Sequence, residues 1–223
     1  MDARVQLWQS RAMADLTLYV DANYDSPWAM SAFVGLEEKQ LSYELVTKVL
    51  SKKETFGPGY GARTRKVPAL RRGDFWLAES MAITEYLAES FPFPKHPRLY
   101  PENLEERATC REVQLWLRTD FMPIRQERPT TTIWFAHVST PLSPAAAESA
   151  ARLVEALEPL LAHGRPTLFA DWCIADADLA VMLQRLNLNG TVLPPKLKAY
   201  AEANWQRPSV AKWNALPRGK TPL

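Results

Sequence analysis

Two serines stand where a chain can hold an anion. Ser26 precedes Pro27 and Ser80 follows Glu79, and each opens a run of helical spacing. A serine at a helix mouth supplies a hydroxyl, beside unpaired backbone N–H groups and the positive end of the helix dipole. At Ser80 that combination suits a carboxylate. Ser26-Pro27 fits a helix start, with serine as N-cap and proline at the first helical position. Upstream of Ser80, Val67-Pro68 begins a short apolar run, and a cis X–Pro bond fits a turn there. Just before it lies a basic cluster, Arg63, Arg65 and Lys66. The plain alternatives are an N-cap serine, an ordinary hairpin leading into a helix and a solvated basic loop, and these residues alone leave them open. Metal chemistry has less to work with. The 3 histidines lack ligand spacing, and Cys110 and Cys173 are far apart, with no CxxC.

The elements that must position these residues can be read in order. Leu16–Val20 reads as a first strand, and the turn-forming loop Asp21–Pro27 leads into a helix carrying Trp28, Ala32, Phe33 and Leu36 at helical spacing. Tyr43–Val46 begins a second strand, followed by a Gly/Pro/Tyr-rich connection. Val67–Leu70 and Phe75–Ala78 read as strands joined at Gly73, where a hairpin turn needs positive φ. Glu79-Ser80 then opens a helix with Met81, Ile83, Tyr86 and Leu87 on its apolar face. The order is β-α-β, a connecting segment, then β-β-α, a thioredoxin-like arrangement.

The stretch V-P-A-L, hairpin, E-S, helix resembles the glutathione-binding signature of the soluble glutathione transferases. The resemblance runs from about Leu16 to Trp213 and implies an N-terminal thioredoxin-like domain (β-α-β-α-β-β-α) followed by an all-helical domain. It implies glutathione as co-substrate, without a metal, and a homodimer. By the same resemblance Val67 and Pro68 pair with the cysteinyl unit of glutathione, and Glu79 and Ser80 hold its γ-glutamyl end. Lys66 is the best placed of the basic cluster for the glycyl carboxylate. Ser26 takes the place of the catalytic hydroxyl in serine-type members, with Tyr24 and then Tyr19 as rivals because other classes use tyrosine near the first strand. The runs Trp116–Thr130 and Trp172–Met182 look like the serine-type bacterial YfcF-like branch. The activity implied is transfer of the glutathione thiol to an apolar electrophile, with reduction of organic hydroperoxides as a side activity. A glutathione-dependent isomerase or dehalogenase, or a non-enzymatic binding module on the same fold, are the alternatives.

A proline-rich linker, residues 92–101, divides residues 16–91 from a helical half, residues 102–223. In that half Glu102–Phe121 reads as a long helix that Pro123 and Pro129 kink or end. Thr131–Pro144 reads as loop, and Ala145–Ala162 as a helix broken near Pro159. W-C-I-A-D places Cys173 and Asp176 as the cap and reciprocal cap of a buried helix. A last helix covers Leu197–Trp205, with Trp213 in a tail. Trp28, Trp116 and Phe121 are candidates for the electrophile pocket. Arg125 and Arg128, unusual so near a break, could meet a polar substrate, and Arg107 and Arg111 are expected at the dimer interface. Residues 1–15 are weakly patterned and read as a poorly ordered tail, with Met13 as an alternative start. In bulk, 223 residues with 47% hydrophobic and 23% charged content and a net charge of +2 fit a globular protein. They give no general case for nucleic acid or membrane binding. Two cysteines, no signal-peptide pattern and no bilayer-length apolar run set the expectation of a reducing, cytoplasmic location.

Overall fold

A computed structural model describes residues 15–219. The expected tail lies, apart from Asp15, outside the described residues. The N-terminal half is a 4-stranded sheet in the order β2-β1-β3-β4, built from β1 (Leu16–Asp21), β2 (Glu44–Lys48), β3 (Ala69–Arg72) and β4 (Phe75–Ala78). β1 runs parallel to β2, which requires a crossover, and helix α1 (Pro27–Glu38) supplies it. β3 lies antiparallel to β1 and to β4. Gly73 turns the β3–β4 hairpin at φ 57°, a conformation that costs a glycine little. Helix α2 (Ser80–Ser90) follows β4 without a loop. Between β2 and β3, where the resemblance implies a helix, stand two short 3-10 turns, Leu50–Lys52 and Glu54–Phe56. Gly57-Pro58-Gly59 ends that segment and denies it further helical bonds.

The rest is helical: α3 (Leu104–Thr119), α4 (Met122–Glu127), α5 (Thr131–Trp134), α6 (Pro144–Leu160), α7 (Ile174–Asn187), α8 (Pro195–Trp205) and α9 (Pro208–Asn214). Two stretches differ from expectation. α5 falls inside what reads as loop, because 4 residues are too few to show a helical period. α6 runs through Pro159 and stops at Leu160. A proline in the last turn has little helix left to break.

α7 is the axis of the molecule. Every residue from Ile174 to Leu186 is buried, and α1, α3 and α8 pack around it. One apolar cluster therefore spans both halves, from Leu18, Phe33 and Leu87 to Leu117, Leu183 and Trp213. β1 alternates, so Tyr19 faces the other side of the sheet. There it stacks on Trp76 at 4.9 Å beside Tyr60. α9 closes the first half from outside: Trp213 is fully buried with its ring 5.3 Å from that of Phe33. Arg207 grips Glu38, at the end of α1, with two bonds of 2.7 Å.

Candidate functional site

The corner between β4 and α2 is the most constrained piece of backbone near the site. Glu79 sits at φ 71°, ψ 118°, where a residue with a Cβ is rarely found. Conformations of this kind persist where the surroundings over-determine them, and they cluster at functional sites. The corner sends the chain straight from strand into helix, so the first turn of α2 opens at the sheet edge. Glu79 makes no side-chain cap bond to that turn. Ser80 is buried, and its Oγ accepts a 3.0 Å hydrogen bond from Arg118 Nη2.

Facing this corner, the Val67–Pro68 peptide is cis, as the turn at that position suggests. The carbonyl of Lys66, just before it, accepts from the Tyr60 hydroxyl at 2.5 Å. Lys66, Val67, Pro68, Glu79 and Ser80 line one open cavity of about 220 Å³ together with Trp28 and Arg118. Five residues singled out in the sequence are thus brought together.

Arg118 escaped the sequence reading. It projects from α3 in the helical half and reaches across to the sheet half. Its guanidinium lies 4.5 Å from the centre of the Trp28 ring, 3.0 Å from the Asp178 carboxylate and 3.4 Å from Ser31 Oγ. Gln114 donates to the same Asp178 oxygen at 2.7 Å. One signal was available: Gln114 and Arg118 stand four apart, each directly after an apolar residue of the core-facing stripe, Val113 and Leu117, so two polar side chains adjoin that stripe.

Ser26 is the N-cap of α1, its Oγ accepting from the Ala29 N–H at 3.2 Å. It does not line that cavity but stands two residues before Trp28, which does. Capping uses an oxygen lone pair and leaves the O–H proton free to be donated. The loop before it is fixed from two sides. Asp21, at the end of β1, accepts from the N–H groups of Asp25 at 2.8 Å and Ser26 at 3.3 Å. Arg218 donates to the Tyr24 carbonyl at 2.8 and 3.2 Å. Burial, a hydrogen bond to Asp21 and the charge of Asp21 push the Asp25 carboxyl up to about 7.

The rivals to Ser26 are placed differently. The Tyr24 ring sits edge-on to Trp213 at 5.8 Å, and burial raises its phenol above the ordinary range. Tyr19 belongs to the cluster on the far face of the sheet. Among the electrophile-pocket candidates, Trp28 also borders a narrow, water-sized crevice of about 10 Å³ with Pro27, Leu117, Asp178, Val181, Met182 and Arg185. Trp116 and Phe121 meet edge-to-face at 4.5 Å, Phe121 fully buried, and neither lines these two spaces. Arg111 makes a bidentate pair with Glu85 at 2.5 and 2.8 Å, and Arg107 donates to the carbonyls of Pro101 and Glu102. Among the described residues no group of His, Cys, Asp and Glu could hold a metal ion, and no helix is long and apolar enough to cross a membrane.

Known proteins match this arrangement along both halves. The crystal structure of a glutathione transferase homolog from Burkholderia gl BGR1, with bound glutathione, superposes with a TM-score of 0.72 and 41% identity, over 89% of this chain and 95% of that one. A theta class glutathione S-transferase from Xanthomonas axonopodis pv. citri, also with glutathione bound, shares the fold at a TM-score of 0.68 and 23% identity, over 92% and 99% of the two chains. Mouse glutathione S-transferase theta-3 is 34% identical over 106 residues, 47% of this chain and 42% of its own length. The match thus spans less than half of that curated relative. Residues 25–90 match the family described as "Glutathione S-transferase, N-terminal domain" and residues 103–218 the one described as "Glutathione S-transferase, C-terminal domain". The strands β2 to β4, the corner between β4 and α2 and the helical half lie within those spans, and the chain belongs to the glutathione S-transferase family.

Proposed function

We propose that this chain is a glutathione transferase that binds glutathione in the cavity at Ser80, ionises its thiol and transfers it to an electrophile. The observation that carries this is the assembly of Lys66, Val67, Pro68, Glu79 and Ser80 around one cavity at an open helix N-terminus. The γ-glutamyl carboxylate goes to Ser80 and the first turn of α2, with Arg118 behind the hydroxyl. Glu79 accepts from the α-ammonium. The backbone of Val67 pairs with the cysteinyl unit, and Lys66 faces the glycyl carboxylate.

The thiol must lose its proton. A free thiol, with pKa about 8.5, is only ~3% thiolate at pH 7. Ser26 cannot serve as a base near neutrality, so its part is to donate its free O–H to the sulfur anion, helped by the dipole of α1. Lowering the pKa by about two units needs roughly 2.7 kcal/mol of preference for the anion. One hydroxyl donor to a charged acceptor plus a helix terminus is of that size. We further propose that the chain reduces organic hydroperoxides, works as a homodimer and is cytoplasmic. The division into residues 16–91 and 102–223 follows the family matches and the elements on either side of residues 92–101.

The test is an ultraviolet titration of the thiolate of bound glutathione against pH, beside turnover with chlorodinitrobenzene. The wild-type chain is expected to be retained on immobilised glutathione and to show a depressed thiol pKa. Ser26→Ala should raise that pKa and lower turnover by about tenfold to a hundredfold, with ground-state affinity little changed. An unchanged titration with unchanged turnover makes the Ser26 hydroxyl a cap only. A loss on Tyr24→Phe instead moves the role two residues upstream. Retention without turnover of any electrophile or peroxide leaves a binding module.

A further inference from the structure

The peptide that leads into Ser26 is gripped at both ends by opposite charges. Its carbonyl, that of Tyr24, accepts from the Arg218 guanidinium at 2.8 Å (Nη2) and 3.2 Å (Nε). Its N–H, that of Asp25, is donated to the Asp21 carboxylate at 2.8 Å. A peptide unit is planar and stiff, so holding both ends fixes its plane, and with it the direction in which the chain reaches Ser26. Asp21 is buried and also takes the N–H of Ser26, at 3.3 Å. The grip holds a conformation that the chain would not choose alone. Tyr24 sits at φ 52°, in the left-handed region, where its Cβ crowds the backbone.

Arg218 lies just beyond α9 and is itself well anchored. It donates to the carbonyls of Trp213, Asn214 and Leu216 at 3.1, 2.8 and 3.3 Å. Its guanidinium lies 5.1 Å from the centre of the Trp134 ring, and Trp134 Nε1 donates to the Asn214 side chain at 3.0 Å. α9 packs on α1, so the cation is carried by a docked element. Burial lowers Arg218 to about 10, against the pull of Asp21, Asp25 and Tyr24, and it stays a cation at neutral pH. The open carbonyls at the end of α9 explain why a cation sits there. They do not explain two bonds to a loop 194 positions away in sequence. A rigid fork of five donors can serve both sets of carbonyls, which the point charge of a lysine cannot do.

We infer that Arg218 is a positioning residue for the thiolate step: by holding the Tyr24 carbonyl opposite Asp21 it sets where the Ser26 hydroxyl meets the sulfur of glutathione. This rests on the transferase reading, in which Ser26 donates to the thiolate, and extends it to the helical half. A hydrogen bond to an anion weakens steeply with distance and angle, so a small displacement of Ser26 costs ionisation. Without Arg218, Tyr24 is free to relax out of the left-handed region and to shift the two residues after it. The bond from the Ala29 N–H keeps Ser26 at the mouth of α1, so the loss falls on the aim of the hydroxyl. Lys66, Val67, Glu79 and Ser80 stand on other elements, and the hold on the tripeptide does not pass through Arg218.

The test is made on the full chain with Arg218→Met, Ser26→Ala, the two combined, and Arg207→Met. Three readouts are taken: the ultraviolet thiolate titration of bound glutathione, glutathione affinity by isothermal titration, and turnover of chlorodinitrobenzene. Arg218→Met is expected to raise the thiol pKa and to lower turnover at pH 7 by about tenfold, with glutathione affinity kept within about twofold. Arg207→Met frees the other end of α9 from Glu38 without touching the Tyr24 carbonyl, and should lower the thermal midpoint but leave the titration in place. On the Ser26→Ala background Arg218→Met should add little, since the hydroxyl it aims is gone. Should Arg218→Met fold poorly, Arg218→Lys carries the test, with a smaller shift in the same direction. A shift on Ser26→Ala with none on the Arg218 variants overturns this proposal alone. So does an equal shift on Arg207→Met, or an Arg218 effect that persists in full without the serine. A silent Ser26→Ala removes the serine reading, and the positioning role with it.

Discussion

Asp25 stands one residue before the capping serine, and its carboxyl shares a part-buried pocket with that of Asp21. Its value of about 7 has burial as the largest cause, then the hydrogen bond to Asp21 and the charge on Asp21. A carboxyl raised in the folded chain binds a proton that the unfolded chain has released. Its contribution to stability is therefore full below the ordinary carboxylate value near 4 and is lost as pH rises through 7. Between pH 5 and 8 the chain should lose on the order of 1 kcal/mol from this pair, after allowing for solvent screening of a part-exposed group. Asn keeps the hydrogen-bonding shape without the charge, so Asp25→Asn should flatten the thermal midpoint across that range. Parallel pH profiles for the two proteins would sink the assignment. Single residues also divide by how far away their partners are. Ser26, Val67-Pro68 and Glu79-Ser80 were legible because each acts through its own backbone corner, within a few positions of chain. Arg118 was not, because its partners Ser80 and Asp178 come from two other helices that only tertiary packing brings to it.

At the level of elements, α7 is held at its start by one carboxylate. Asp176 accepts from the N–H of Cys173 at 2.8 Å, the N–H of Leu168 at 2.8 Å and the Tyr200 hydroxyl at 2.6 Å. The capping role was readable in I-A-D, but the ties to the preceding loop and to α8 were not, since neither lies on the helix. Asp176→Ala would leave those donors buried without an acceptor. It should cost about 3 kcal/mol or more, read as a lower denaturant midpoint, with glutathione affinity of the folded fraction unchanged. A loss under about 1 kcal/mol would mean that packing alone holds the helix. The elements that were readable, β1, α1, the β3–β4 hairpin and α2, carry period and turn chemistry over enough residues to be distinctive. α5 and the 3-10 turns after β2 are shorter than any period. Trp213, read as a tail residue, belongs to α9, whose 7 residues carry only a weak pattern and are fixed by docking on α1.

For the whole molecule, light scattering should give about twice the 25.3 kDa chain mass if the homodimer proposal holds. A fully active monomer at micromolar concentration would end it. In the structure Arg111 already holds Glu85, so any contact it makes across an interface is made by a pre-formed ion pair rather than by a free cation. The seating of Trp213 against Phe33 has a further consequence, for how the chain is born. The face of α1 that receives α9 leaves the ribosome well before its cover, because most of the helical half is translated between them. At ~5–20 residues per second the half-made chain waits on the order of ten seconds with Phe33 and the Glu37-Glu38 end of α1 unclasped. The sheet half is thus translated before the helical half but finished only after α9 arrives. In that interval its aromatic surface is open to self-association, and translation speed over the helical half sets how long the exposure lasts.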